Sequence, residues 1–418
     1  HWKEVMGMIE RNWDIHFLLM YACYYCYMLF EDLCKKYVGI NDTSPMWAKL
    51  MRGFDQMMIT VDRELYKLGQ RAIERGFGEL FLEYSPEELR DELSKTEAGR
   101  KWLNEFHQLM QIHGGRSERI YEFSCPTWAE DDIPGLIAIA VHIKKGKAFS
   151  WDDEFAAKVE ERQEVEREII GKVPWEEKET FTKLMELAQT ASYWSEDHGY
   201  FIDYMTTAIA RLALLEVGKR LLEGGCIDEI DDVFFLLPDE IELVLPCTDL
   251  VNMRPTVSKR RKEYEESKEI VKPDICAKVS MEEVGKLIVS LRDPLLMKLF
   301  AGEMPQIRPE LKADLYGRAG SPGVAEGIAR VVKEYNDLSK LQSGEILVAP
   351  ATFASWTSAF AIIKACVVDR GGSLSHAVIV GREYGIPVVN NCMEGTEKIK
   401  TGQRIKVDGN LGVVYILE

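Results

Sequence analysis

The patterning of this chain changes once, near residue 301, and that change limits it to a two-part architecture. Before it, long segments repeat apolar residues at intervals of three and four with Glu, Lys and Arg between them, the period of helices that bury one face. After it, a polar stretch with Pro305 and Pro309 gives way to short β-branched runs separated by glycines, the pattern of strands. We therefore expect a large, mostly α-helical domain over residues 1–300, a linker over 301–314 and a compact α/β domain over 315–418. Strands are expected at Ile328–Val332, Glu345–Val348, Ala365–Val368, Val388–Val389, Arg404–Val407 and Val413–Leu417. Helices are expected at Thr357–Lys364 and His376–Tyr384.

With 418 residues, 46% of them hydrophobic and 29% charged, the chain can fill two or three full-sized cores. A formal charge of −17 repels phosphate backbones and anionic headgroups, so no nucleic-acid partner is expected. The densest cationic run, Lys259–Lys262, is followed at once by Glu263, Glu265 and Glu266, which reads as a solvated helix face. Nine scattered cysteines lack the spacing of a disulfide framework and point to reduced thiols and a cytoplasmic location. Cys23 and Cys26 form a CxxC, yet no second ligand pair accompanies it, and core packing is the expected role. The apolar run Phe17–Phe30 covers 14 residues, short of the roughly 18–20 needed to span a bilayer, so a buried helix and no membrane partner are expected. The chain begins with His1 and shows no signal-peptide pattern, as a fragment or processed chain would.

The most informative segment is GGSLSHAVIVGREYGIP, from Gly371 to Pro387. Gly371 and Gly372 allow a tight turn after an apolar strand, Ser375 is a favourable N-cap, and Gly385 with Pro387 marks a stop. His376 then stands at the first turn of a helix, where free N–H groups and the helix dipole favour an attached phosphate. A neutral imidazole is also a usable nucleophile near neutral pH. These residues alone are equally consistent with a capping or core histidine in a Gly-rich turn.

The segment closely resembles the phosphohistidine swivelling domain of the phosphoenolpyruvate-utilising enzymes, whose signature runs GGxTSH and continues into a helix ending near GIP. The likeness extends to GSPGVAEGIARVV from Gly320, GEILVAPAT from Gly344 and VDGNLGVV from Val407. It implies that His376 is phosphorylated and that Gly371, Gly372 and Ser375 surround the phosphate. Two departures stand out: Leu374 replaces the usual Thr, and Phe353 with Ala354 replaces the frequent Asp-Pro. The chain ends soon after Gly409, leaving no room for the barrel that binds phosphoenolpyruvate or pyruvate in the synthases and dikinases. No ATP-grasp region is legible in the first 300 residues. The resemblance therefore implies that Mg2+ and ATP are held by a partner ATP-grasp subunit or domain, with a phosphohistidine intermediate, and that residues 301–314 act as a hinge.

A swivelling histidine domain behind a helical one resembles the rifampin phosphotransferases and the large subunit of phenylphosphate synthases. HGGRSERIYEFSCPTWAEDD from His113 and IDEIDDVFFL from Ile227 are similar to stretches of those helical domains. In WSEDHGYFID, from Trp194, the Glu196-Asp197-His198 triplet resembles the phenylphosphate-synthase branch more than the RExxK of the rifampin enzymes. The implied reaction converts ATP, a small aromatic alcohol such as phenol, and water into aryl phosphate, AMP and phosphate. A rifampin-type antibiotic phosphotransferase and a non-catalytic phosphocarrier are the alternatives. His198, oriented by Asp197 or Glu196, is the candidate base for the acceptor hydroxyl, or else part of a capped, salt-linked turn. Arg116 suits a phosphoryl group through its planar fork, or a domain-packing contact. The run Tyr21, Cys23, Tyr24, Tyr25, Tyr27 and Phe30, with Tyr24 at its centre, offers aromatic walls for a ring-shaped substrate or plain core. The residue pattern identifies no metal ligands.

Overall fold

The computed structural model describes residues 2–145, 150–268 and 307–417, with isolated positions between the last two spans. Of the expected linker, positions 301–304 and 306 fall outside the described residues, as does most of 269–300. Helices fill the first part as the apolar period implies, and strands begin at Leu315. The first helix, Trp2–Tyr37, packs along Lys178–His198 and Met205–Glu223, while Met57–Glu74 packs on Ile133–Lys145. Side chains of Trp102, Phe106, Leu65 and Ile139 interlock in the larger apolar core of this part.

The α/β part carries an eight-stranded sheet: β1 (Leu315–Tyr316), β2 (Arg318–Ser321), β3 (Val324–Val331), β4 (Ile346–Ala349), β5 (Ala365–Val368), β6 (Val388–Asn390), β7 (Arg404–Asp408) and β8 (Val413–Ile416). Their order is β1-β8-β7-β3-β4-β5-β6-β2. The β3-β4-β5-β6 block is parallel, and its inner strands β4, β5 and β6 are wholly buried apolar runs, as strands covered on both faces must be. The other pairings are antiparallel. β3 begins four residues before the expected strand because its first half pairs with β7, from Val324 opposite Asp408 to Ile328 opposite Arg404. The expected Thr357–Lys364 helix is instead a 3-10 helix over Ala354–Ala361. It stops early because Ile362 accepts from Gly344 N–H and Lys364 N–H donates to Glu345, which draws both residues toward β5. The helix His376–Tyr384 lies where the sequence places it and ends on Gly385 at φ +68°, a left-handed cap suited to glycine.

The expectation of a short buried helix at Phe17–Phe30 needs correction. The helix runs from Trp2 to Tyr37, long and apolar enough by length and composition to cross a membrane. One face is packed, whereas Phe17, Leu18, Tyr21 and Tyr25 are exposed. Cys23 is buried in this helix, and burial pushes its thiol up to about 11, in keeping with packing. The eight described cysteines are unpaired. In the cationic run, Arg260 meets Glu240 and Arg261 meets Asp232, with Lys259 and Lys262 near the acidic residues one turn on, so this is a neutralised helix face.

Candidate active site

His376 follows the carboxyl end of β5, the edge at which open α/β sheets bind ligands. Gly371 takes φ +132°, and a Cβ there would lie 2.7 Å from Ser375 Oγ, so the turn requires glycine. Asn390 Nδ2 at the end of β6 donates to the carbonyl of Gly371 at 2.6 Å and secures the loop. Ser375 occupies the N-cap, its carbonyl accepting from Val378 and Ile379, but its hydroxyl makes no cap bond and is buried without a partner. The expected capping role therefore belongs to its backbone alone.

The imidazole of His376 is 9% exposed and held at both nitrogens: Nδ1 lies 2.8 Å from Thr352 Oγ1 and Nε2 lies 3.2 Å from Thr357 Oγ1. Thr357 gives its hydroxyl proton to the Ala354 carbonyl at 2.8 Å, so it accepts from Nε2–H, and Nδ1 then accepts from Thr352. Attachment of phosphorus to either nitrogen displaces one threonine. Burial pulls the imidazole down to about 3, the Arg116 charge adds to this and Asp62 opposes it, so the ring is neutral at physiological pH.

The helical part meets this loop with a buried cation. Arg116 is 2% exposed, its guanidinium lies 5.0 Å over the Trp128 ring, and its Nε and Nη2 are buried with no hydrogen-bond partner. Burial lowers its pKa, opposed by Tyr204, Tyr200, Asp62 and Tyr335 around it. Asp62 is itself engaged by His142 Nε2 at 2.8 Å and by the Tyr384 hydroxyl. Glu118, two residues on, accepts from Trp128 Nε1 and from Ser355 Oγ, each at 3.0 Å. Burial raises its carboxyl to about 7 against the pull of those bonds and of Arg116. Ser355 and Thr357 share one 3-10 helix, so the Glu118 and His376 contacts are a single turn apart. Beside them Glu118, Tyr335, Phe353 and Trp356 line a cleft of about 300 Å³ between the two parts.

The docked arrangement is held by several buried contacts. Leu374 is 4% exposed and packs among Tyr27, Phe30, Trp47 and Met185 of the helical part, which gives this departure from Thr an apolar docking role. Arg382 is fully buried and donates to the Tyr27 hydroxyl and to the carbonyls of Gly320 and Asp42, while Arg318 pairs with Asp42 at 2.6 Å. Glu383 accepts from Gly53 N–H at 2.9 Å, and burial raises its carboxyl to about 7.

The remaining sequence candidates are bonded to other partners, although Ser195 beside them donates to the Leu374 carbonyl of the histidine loop at 3.4 Å. Asp197 accepts from Met57 N–H at 2.7 Å as a helix cap, and Glu196 is buried, its carboxyl raised by burial to about 8. Neither orients His198. The carboxylate facing His198 is Asp203, with Nε2 to Oδ2 at 3.6 Å, because residues 199–204 form a π-helix. In an α-helix a residue five positions on lies roughly 140° around the axis, whereas the wider π turn returns it nearly to the same face. Tyr24 packs against the Leu374 cluster, Tyr27 is bonded to Trp47 and Arg382, and Tyr21 and Tyr25 are exposed, so the aromatic run is divided over several faces and lines no single pocket. Sequence reasoning missed Asp62, Glu118, Thr352 and Thr357. Glu118 and Thr352 lie inside recognised stretches, but nothing marks Asp62 before folding brings it to the site.

Comparisons with known proteins agree with this division. Residues 341–412 match the family described as PEP-utilising enzyme, mobile domain, and residues 16–196 match the rifampicin phosphotransferase fourth domain. An uncharacterized phosphotransferase YvkC of Bacillus subtilis (strain 168) is 29% identical over 81% of this chain and 39% of its own length. Chondramide synthase cmdD of Chondromyces crocatus is 30% identical over 99% of this chain and 11% of its length. A rifampicin phosphotransferase of Bacillus cereus is 26% identical over 78% and 36% respectively. The chain thus spans well under half the length of these relatives. A solved structure of Enzyme I, at 16% identity, covers 49% of this chain and 72% of that one with a TM-score of 0.19, too loose a likeness to bear on the fold.

Proposed function

We propose that this chain, a member of the phosphoenolpyruvate-utilising family, acts as part of a phosphotransferase of the rifampicin-phosphotransferase type, in which His376 takes up a phosphoryl group and passes it to a hydroxyl. The observation that carries this reading is the pairing of a neutral, buried His376 with an Arg116 whose Nε and Nη2 have nothing to bond, next to the unpartnered Ser375 hydroxyl. Leaving such donors unmet costs roughly 1–3 kcal/mol each, and a phosphoryl group on the imidazole would satisfy them.

The base is better placed at Glu118 than at His198, whose side chain belongs to a separate cluster with His16 and Asp203. In the transfer step the acceptor O–H gives its proton to the Glu118 carboxylate as its oxygen bonds to phosphorus. The P–N bond breaks and its electron pair returns to the ring nitrogen. Arg116 offsets the phosphoryl charge in a water-poor site. The acceptor would enter the cleft beside Phe353 and Trp356, whose volume of about 300 Å³ suits a small aromatic alcohol such as phenol. A rifampicin-like acceptor is the second reading, favoured by the match over residues 16–196.

A nucleotide with Mg2+ does not fit the described residues around His376. Asp62 is bonded to His142 and Tyr384, and Glu118, bonded to Trp128 and Ser355, keeps its remaining lone pairs for the acceptor proton, which leaves no carboxylate there for the ion. We therefore assign Mg·ATP to an ATP-grasp subunit or domain, with residues 301–314 as the hinge that lets His376 reach it, in a cytoplasmic enzyme. Charging the chain with phosphoramidate, a small-molecule phosphoryl donor, tests the assignment. An acid-labile, base-stable phosphate is expected at His376 and absent from His376→Ala, and equal label in both proteins would overturn it.

A further inference from the structure

The first helix and the π-helix bring together a group that the phosphotransfer reading does not use. His16 Nδ1 lies 3.0 and 3.1 Å from the two carboxylate oxygens of Asp203, and His198 Nε2 lies 3.6 Å from Oδ2. The three ligand atoms fall within 4.8 Å of one another. Asp203 is 2% exposed, and among the described ion pairs no Lys or Arg reaches it, so its carboxylate is met by His16 Nδ1 and the Tyr121 hydroxyl, with His198 Nε2 facing it. A buried carboxylate without a cation is costly.

The protons of the cluster leave one lone pair unused. His198 Nδ1 is 3.2 Å from the Trp194 carbonyl, which can only accept, so Nδ1 carries the proton. His198 Nε2 then presents its lone pair toward the Asp203 carboxylate, and it is buried with no hydrogen-bond partner. Lone pairs facing one another across 3.6 Å are what a cation between them would require. The outer contacts are those of a metal centre: the far nitrogen of His198 bonds a backbone carbonyl, and the Tyr121 hydroxyl orients Asp203 Oδ1 at 2.7 Å.

We propose that His16, His198 and Asp203 form a binding site for a divalent ion of the zinc class. Two imidazoles and one carboxylate are the donor set of three-ligand zinc sites that keep a fourth position open. Tetrahedral coordination at ~2.0–2.1 Å sets donor atoms about 3.3 Å apart, a value that lies between the Asp203 separations of 3.0 and 3.6 Å, and it asks the two imidazole nitrogens, within 4.8 Å of one another, to close by roughly 1.5 Å. The His16 side chain is 23% exposed, which gives the ion a way in from solvent. Bound metal would tie the first helix to the π turn and fix that turn's shape. The site is independent of the phosphotransfer reading.

The test is titration of the metal-stripped full chain with Co2+, followed by Zn2+. One equivalent of Co2+ should give the intense visible bands of tetrahedral nitrogen and oxygen ligation, and Zn2+ should bleach them. His198→Ala and Asp203→Asn should weaken binding at least ~100-fold, the upper end of losses for outer-shell changes, and Tyr121→Phe by ~10- to 100-fold. His107→Ala, which removes an exposed histidine paired with Asp132, should bind like the parent. Because Asp203→Asn risks misfolding, His198→Cys provides a gain-of-signal check: sulfur-to-cobalt charge transfer should appear only there. Absence of tetrahedral bands, bands that survive His198→Ala, or sulfur charge transfer in the parent would each overturn the proposal, the last by assigning the ion to cysteines.

Discussion

Replacing Arg116 by Met should separate the resting protein from the phosphorylated one. In the resting state the guanidinium leaves Nε and Nη2 buried and unbonded. Each unmet donor costs on the order of 1–3 kcal/mol, so the resting protein carries roughly 2–6 kcal/mol of penalty at this residue. Met keeps apolar bulk against Trp128 and removes both donors, so urea unfolding of the unphosphorylated variant should show stability unchanged or increased. Once His376 is phosphorylated the balance reverses. Two charge-assisted bonds worth ~1.5–3 kcal/mol each are lost, and to the extent that they reach full strength only as charge builds on the transferring phosphoryl group, at 1.4 kcal/mol per decade transfer to an acceptor should slow by up to about 10²- to 10⁴-fold. The assay charges both proteins with phosphoramidate, mixes them with excess aromatic alcohol and follows phosphohistidine decay by rapid quench. A variant that unfolds far more readily yet transfers at the parental rate would refute this reasoning and make Arg116 a packing residue.

Leu374→Ala should weaken docking by ~2–5 kcal/mol, because it empties a site among Tyr27, Phe30 and Trp47, and phosphoramidate should then label His376 faster than in the parent. Hydrogen exchange along His376–Tyr384 should rise with it, and unchanged labelling would remove Leu374 from the docking contact. Docking should also depend on pH through His376, held near 3 when buried against an ordinary 6.5. Only the undocked form takes up the proton between those values, so the His376 contribution is fully present above 6.5 and is lost by about 1.4 kcal/mol per unit as pH falls. Glu118 and Glu383, both raised to about 7, act in the opposite sense: their contribution is complete below ~4.5 and is lost as pH rises through 7. The difference in docking between the parent and His376→Asn isolates the histidine term, and a flat difference between pH 4 and 6.5 would contradict the burial that we describe. Glu118→Gln should slow transfer by ~10²- to 10⁴-fold while leaving the labelling of His376 intact, and should abolish the rise in transfer rate expected as pH passes through 7.

The α/β part was legible because local chemistry dictates it. Gly371 is needed for its positive φ, Gly385 for its left-handed cap, and the buried runs at β4 to β6 are strands by composition alone. The place of His376 at the start of a helix followed from that turn, whereas its expected role came from the resemblance of the whole segment to the swivelling domain. The rest of the site depends on contacts between residues far apart in sequence. Asp62 comes within electrostatic range of the histidine, and Glu118 meets Ser355, only when the two parts dock, and no local pattern encodes that approach. His198 was expected to be oriented by Asp197 or Glu196, whereas the carboxylate that faces it is Asp203. An ordinary helix would turn Asp203 away, and the π turn that brings it back has no distinctive composition. For the aromatic run, of the two expected roles the buried Cys23, Tyr27 and Phe30 take the core one, while the spacing wraps the other rings around the helix toward other faces.

Product analysis tests the central claim most directly. Chain charged on His376 is mixed with a panel of phenols, other small alcohols and a rifamycin, and phosphorus NMR with mass spectrometry follows where the phosphoryl group goes. The account predicts that the phosphohistidine signal decays as a phosphoester of one hydroxyl compound appears, and that both changes are absent from His376→Ala. Ester formed equally by His376→Ala, or a phosphohistidine that decays to inorganic phosphate at one rate with every acceptor, would contradict it.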